Sequence, residues 1–229
     1  MSAKNEIKKK LMSMTGRYGL FDIFYDWILM SSISIQNACW PVHDDPWNAR
    51  EKQYMETAQK YTEEEMVHFA EMMSLLFKAF AEGFSDVLGE LYMELGLSNR
   101  DSGQVFTPFH VSELMARSII GIDSIPQEGV FTVSDPCCGG GAMLVAACKV
   151  LMDAGVDYGH RMFANAQDLD WKCVYMTYLQ LSVIGCPALV VQGDTLTEPY
   201  DPASTDPAHV FVTPATVGLM HYENERRNK

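Results

Sequence analysis

The sequence predicts an α/β protein in two parts: a helical N-terminal domain, residues 1–97, and a domain over residues 98–229 built on a parallel, doubly wound sheet. Three observations predict it. Apolar residues recur at helical spacing from residue 19 to about 97, with few alternating β-branched runs. Beyond a polar stretch at 99–102, short apolar runs alternate with helical patterns. One of those runs leads into a turn with three successive glycines, Gly139, Gly140 and Gly141, followed by a helical pattern.

The N-terminal part fits three or four helices. The first covers residues 20–38 and is broken by the stretch from Trp40-Pro41 to Pro46-Trp47, where two prolines interrupt the ladder. A second spans 47–60. Thr62 and Glu65 form a capping-box pair that opens a long helix with the stripe Met66, Phe69, Met73, Leu76, Phe77 and Phe80. That stripe reads as core packing in preference to a partner-binding groove. Gly83 ends the helix, Ser85 caps a short one running to about 95, and Gly96 stops it. In the second part the pattern gives a helix at 109–120, a strand at 130–134, a helix at 140–154, a strand at 163–166, a helix at 171–184 and strands at 188–192 and 209–213.

Composition narrows the function. With 229 residues, 48% hydrophobic and 21% charged, the chain has material for a real core. A net charge of -13 disfavours a free-standing DNA binder, which normally carries a basic face. The one dense basic run, Lys4 with Lys8, Lys9 and Lys10, reads as a solvated helix end or a frayed terminus. Cys39, Cys137, Cys138, Cys148, Cys173 and Cys186 form no CxxC pair and have no histidines at ligand spacing, so no metal site is expected. The apolar stretch at 20–39 contains Asp22 and Asp26, which makes it a buried amphipathic helix, and a cytoplasmic protein without membrane contact is expected.

The chemistry concentrates at three predicted strand ends. Asp135-Pro136-Cys137-Cys138-Gly139-Gly140-Gly141 places an acid before a turn where the backbone lies open to a ligand and the helix start aims its N–H groups outward. Gln167-Asp168-Leu169-Asp170 supplies acids at the next strand end, where doubly wound folds bind ribose hydroxyls, and Gly193-Asp194-Thr195-Leu196 adds a third. Three acids on three successive strand ends describe a nucleoside pocket. Any one of them alone reads equally well as a helix N-cap.

These residues carry a resemblance. Gly103-Gln104-Val105-Phe106-Thr107-Pro108 resembles the Gly-Gln-x-x-Thr-Pro element of adenine-specific DNA methylases, including the modification subunits of type I restriction systems. Asp135 to Gly141 resembles their Asp-Pro-x-Cys-Gly-x-Gly cofactor loop. Asp86-Val87-Leu88-Gly89-Glu90-Leu91-Tyr92 is similar to the helix before the Gly-Gln element. The resemblance implies a Rossmann-like S-adenosylmethionine-dependent methyltransferase domain, truncated after its early strands. It implies that Thr107 contacts the methionine carboxylate, and that Asp135 with Cys137, Gly139 and Gly141 holds the amino-acid part. Asp168, with Asp170 less firmly, would bind the ribose, Asp194 the adenine amino group, and Phe106 would close the pocket by packing.

The family's Asn-Pro-Pro-aromatic tetrapeptide, which binds the target amino group and stacks the flipped base, has no counterpart. The segment that aligns is His209 to Thr216, offering Thr213 and Pro214 as a degenerate catalytic pair, with no aromatic at Thr216; Tyr222 follows nearby. The leading expectation is methyl transfer from S-adenosylmethionine to adenine in DNA, with DNA recognised through a specificity or catalytic partner subunit or a second copy of the chain. The alternative is a cofactor-binding, catalytically inactive relative with a regulatory or interaction role in a restriction, anti-restriction or mobile-element setting. A small-molecule or protein methyltransferase is a third class, better matched by the charge and worse by the Gly-Gln element.

Overall fold

The computed structural model describes residues 1–40, 42–97, 105–126 and 128–227, the side chains of 124 and 225–227 excepted. Gly103, Gln104 and the polar stretch at 99–102 lie outside the described residues.

The chain opens with α1, Ala3–Ser13, which the helical spacing from residue 19 onward leaves out. It is a helix because Ser2 caps it and because Ala3, Ile7 and Leu11, spaced by four, fall on one fully buried stripe. Its lysines lie on the wet side, where Lys4 pairs with Glu90 and Glu94, Lys8 with Glu94, and Lys10 with Glu71. The basic run is therefore a solvated helix face engaged with acids of this same chain.

Helix α2, Leu20–Cys39, is a buried core helix. Its Asp26, 4% exposed, accepts from Tyr61 Oη at 2.8 Å and from Lys60 Nζ at 3.1 Å, so the buried charge is compensated. Among the described residues no helix is long and apolar enough to cross a membrane. Helix α3 is Asp45–Ala58, and α4, Glu63–Glu82, opens on the expected Thr62–Glu65 capping box. Its buried stripe is Phe69, Met72, Leu76, Ala79 and Phe80, rotated from the expected one; Phe77 is 53% exposed. Helix α5, Val87–Glu94, is capped by Asp86 and not by Ser85: the carboxylate accepts from the Gly89 amide at 3.0 Å.

Helix α6, Phe109–Ile119, leads to β1, Phe131–Asp135, then α7, Ala142–Asp153, and the single turn α8, Tyr158–Arg161. Strand β2, Met162–Asp168, helix α9, Trp171–Val183, and strand β3, Ala188–Gln192, follow. Strand β4, Val210–Val212, and helix α10, Pro214–Arg227, end the described chain. The sheet order is β1-β2-β3-β4, with the first three strands parallel. Strand β4 runs antiparallel to β3, so the sheet is mixed and the all-parallel expectation is corrected. The cause is the connection: residues 193–209 hold Pro199, Pro202 and Pro207 and form no α-helix, so no crossover unit carries the chain back to a parallel start.

Helices α7 and α9 touch each other over one face of the sheet, and α2 and α6 pack outside them. On the other face, Ser134, Asn165, Gln167, Leu189 and Val191 border a cavity of about 230 Å³ that loop residues Thr195, Pro199 and Tyr200 help to enclose. The double winding that strand and helix alternation predicts is thus realised on one face among the described residues. One hydrophobic core cluster runs from Ile7 and Trp27 through Leu88 and Tyr92 to Val174 and Phe211, so helical part and sheet share an interior, and a small second cluster of Ala116, Ala146 and Val150 lies between α6 and α7.

Candidate cofactor site

Strand register decides which side chains meet. Asp135 lies opposite Ala166 and Asp168 opposite Gln192, and the Gly193 amide donates to the Asp168 carbonyl at 3.0 Å. Asp135, Asp168 and Asp194 therefore follow one another along the carboxyl rim of β1, β2 and β3. Each also serves the backbone. Asp135 Oδ1 accepts from Cys137 N at 3.2 Å, Asp194 Oδ1 from Leu196 N at 2.9 Å, and Asp168 takes Gly139 N at 2.8 Å and Asp170 N at 3.0 Å. The backbone-cap alternative is thus observed at all three acids, and a carboxylate has more acceptor sites than one amide uses.

The glycine bend is braced from beneath. Cys138 N donates to Gln167 O at 3.0 Å, Gly141 N to Cys138 O at 2.8 Å, and Thr177 Oγ1 to Gly139 O at 3.0 Å. Gly141 takes φ 93° and stands at the N-cap of α7 without a side-chain acceptor over the first turn. The helix start thus keeps amide donors for a ligand. Phe106, 9% exposed, packs its ring against Gly139, where a Cβ would lie 3.4 Å from Cδ1, and against Tyr92 at 5.3 Å between centroids. Thr107 next to it and Cys137 on the bend are exposed.

The rim is electrostatically one-sided. Burial raises the Asp135 carboxyl above the ordinary carboxylate range, and the charge of Asp168 raises it further. Asp170 is committed elsewhere: it caps α9 through Lys172 N and pairs with Lys172 Nζ at 3.0 Å. The remaining acids suit a ligand rich in N–H and O–H donors or carrying positive charge.

A family model described as N-6 DNA Methylase matches residues 84–229, from the approach to α5 through the last strand and helix. The chain belongs to the N-6 DNA methylase family. The match covers the bend, all three rim acids and Phe106, and gives the chain an adenine methyltransferase-like character. No curated protein matches the chain.

Thr213 and Pro214, the degenerate catalytic pair that the sequence offers, are not brought together with the rim acids. Because β4 is antiparallel, its far end lies beside Ala188, the first residue of β3, at the rim opposite the acids. Four residue steps of strand separate the two rims, about 13 Å. Thr213 is fully buried: its Oγ1 accepts from Ala188 N at 2.8 Å and donates to Cys186 O at 2.8 Å, while Thr216 Oγ1 accepts from the same amide at 3.0 Å. Both threonines tie the sheet edge to α10. Tyr222 is also away from the acids, with its ring 4.8 Å from that of His160.

Sequence reasoning missed Thr177, Gln180 and Thr195. Thr177 and Gln180 are fully buried polar residues in the apolar helix α9, and an uncharged polar side chain inside such a run is the signal that was there to read. Thr195 Oγ1 donates to the Pro136 carbonyl at 2.5 Å, a link between the β3 and β1 loops that only tertiary geometry reveals.

Proposed function

We propose that the carboxyl rim of β1, β2 and β3 binds S-adenosylmethionine and that the chain is the cofactor-binding part of an adenine-N6 DNA methyltransferase, acting in the cytoplasm with a partner subunit or second copy that recognises DNA. The observation that carries this reading is the alignment of Asp135, Asp168 and Asp194 beside the Gly139 to Gly141 bend, within the stretch that matches the family.

The residues fit such a group. The cofactor presents an ammonium, two ribose hydroxyls and an adenine amino group, all donors, and a carboxylate that needs N–H partners. Asp135 stands at the bend for the ammonium, Asp168 for the ribose and Asp194 for the adenine. The uncapped first turn of α7 suits the carboxylate, and Thr107 is assigned to it as the family resemblance implies. Phe106 supplies an apolar wall. When bound, the cofactor would supply an electrophilic methyl on its sulfonium. The role of the chain is to hold the methyl donor; its own residues at this rim are acceptors and apolar surface.

One observation favours the second reading, a cofactor-binding relative that does not catalyse on its own. The segment aligned with the target-amine motif stands at the opposite rim, with both threonine hydroxyls engaged by backbone. Calorimetry with S-adenosylhomocysteine tests the pocket, and labelled methyl incorporation into DNA, with and without candidate partner subunits, tests catalysis. Binding with incorporation supports the first reading, and binding without it under every partner condition leaves the second. Asp135→Ala and Asp168→Ala are each expected to weaken cofactor binding by about 1–3 kcal/mol. Wild-type affinity in both would remove the pocket from this rim.

A further inference from the structure

The first turn of α5 touches the glycine bend through one buried carboxamide. Gln180 of α9 is fully buried, and its three polar contacts all serve the bend or the helix that abuts it. Its Nε2 donates to the Gly140 carbonyl at 2.7 Å and to Asp86 Oδ1 at 2.7 Å, and its Oε1 accepts from Leu88 N at 3.1 Å. Asp86, 2% exposed, holds that amide while accepting from Gly89 N. Backbones are in contact as well: a Cβ on Gly140 would lie 3.7 Å from the Gly89 Cα. A Cβ on Gly89 would lie 2.0 Å from Asp86 Oδ2, so the carboxylate keeps its place only against glycine.

The consequence falls on one peptide plane. The carbonyl of Gly140 and the amide of Gly141 belong to the same peptide group. Gln180 fixes its oxygen, and the Cys138 carbonyl fixes its N–H at 2.8 Å. That peptide opens α7 and sets the direction of the amides that follow. A second contact, from α5, runs from Tyr92 to Phe106 and from Phe106 to Gly139 and holds the outer side of the bend.

We propose that Gln180, held in place by Asp86, is a positioning residue that sets the glycine bend for cofactor binding, so that α5 of the helical part belongs to the cofactor site. The proposal rests on the reading of the rim as that site. It touches no reacting atom, and a buried carboxamide with both hydrogens committed has one orientation, which is what positioning requires.

The test compares Gln180→Met, similar in size and without hydrogen bonds, with Asp86→Asn, which keeps the Oδ1 acceptor. Two readouts are taken on folded protein: affinity for S-adenosylhomocysteine by calorimetry, and amide exchange of the segment 136–144 by mass spectrometry. Q180M is expected to bind at least tenfold more weakly and to exchange at least tenfold faster in that segment, with D86N within about twofold of wild type in both. If Q180M does not fold, Asp86→Ala replaces it, with the same expected direction in both readouts. Either readout unmoved in a folded variant, where the wild type binds, overturns the proposal, and a D86N loss equal to that of Q180M overturns the part assigned to Asp86. A wild type that does not bind S-adenosylhomocysteine refutes the cofactor reading instead; faster exchange in Q180M then still supports the hold on the bend, and unchanged exchange overturns it.

Discussion

Replacing Gly141 by alanine isolates the close packing that lets the bend exist. Two costs arise. At φ 93° an L-residue sits in left-handed territory, which costs roughly 1–2 kcal/mol. The new Cβ would also lie 2.9 Å from Thr177 Oγ1 and 3.2 Å from Thr177 Cα, so α7 and α9 must separate, and overpacking of this kind costs about 1–3 kcal/mol. The sum, about 2–5 kcal/mol, is a large share of the 5–15 kcal/mol that typically stabilises a domain. Gly155 provides the control, since its φ is 74° and a Cβ there meets nothing within 4 Å. Gly155→Ala should incur the conformational cost alone. Equilibrium urea unfolding of the two variants is expected to show G141A less stable than G155A by about 1–3 kcal/mol. Adding Thr177→Ala to G141A removes the 2.9 Å contact but leaves those to Cα and Cβ and takes the donor from the Gly139 carbonyl, so it should not restore wild-type stability. Equal costs at Gly141 and Gly155 would refute the packing of α9 against the bend.

The Asp86 carboxyl gives a pH signature. Burial lifts it to about 6 from 3.8, so the folded state holds this proton more tightly than the unfolded chain. Its contribution to stability is complete below pH 3.8 and is lost as pH rises through about 6, by about 3 kcal/mol in all. Unfolding curves of wild type and Asp86→Asn across pH 4 to 7 should diverge in that direction, and parallel curves would contradict it. Thr213→Val should destabilise by about 1–3 kcal/mol, through the Ala188 amide and Cys186 carbonyl it bridges, while leaving cofactor affinity unchanged. A variant of normal stability and reduced affinity would return Thr213 to the site. Lys10→Ala and Lys8→Ala, whose partners are Glu71 and Glu94 at the surface, should each shift stability by less than about 1 kcal/mol in thermal unfolding.

Much of the architecture was legible because it is local. The capping box at Thr62, the glycine stops at Gly83 and Gly96, and the alternation of runs after residue 105 each follow from contacts within a few residues, and the structure has them nearly where the pattern puts them. The helix at Ala3–Ser13 was missed because its stripe of Ala3, Ile7 and Leu11 is thin and set among lysines, so burial against α4, not intrinsic pattern, makes it a core element. The stripe of α4 was rotated, with Phe77 outside and Met72 inside, because hydrophobic spacing gives a face only to within the width of the apolar arc.

The sequence by itself determined the acids and the bend: Asp135, Asp168 and Asp194 each close a predicted strand, and parallel strands of similar length bring their ends to one rim whatever the surrounding packing. Only tertiary structure decided the direction of β4, since order along the chain says nothing about whether a connection crosses the sheet or returns along its edge; that choice put Thr213 and Pro214 at the opposite rim. Tertiary structure also decided that Asp86 and Gln180, 94 positions apart, share a hydrogen bond beneath the bend. Local chemistry fixes which groups a strand end offers, but a buried polar group takes its partner from whatever the packed fold brings within reach.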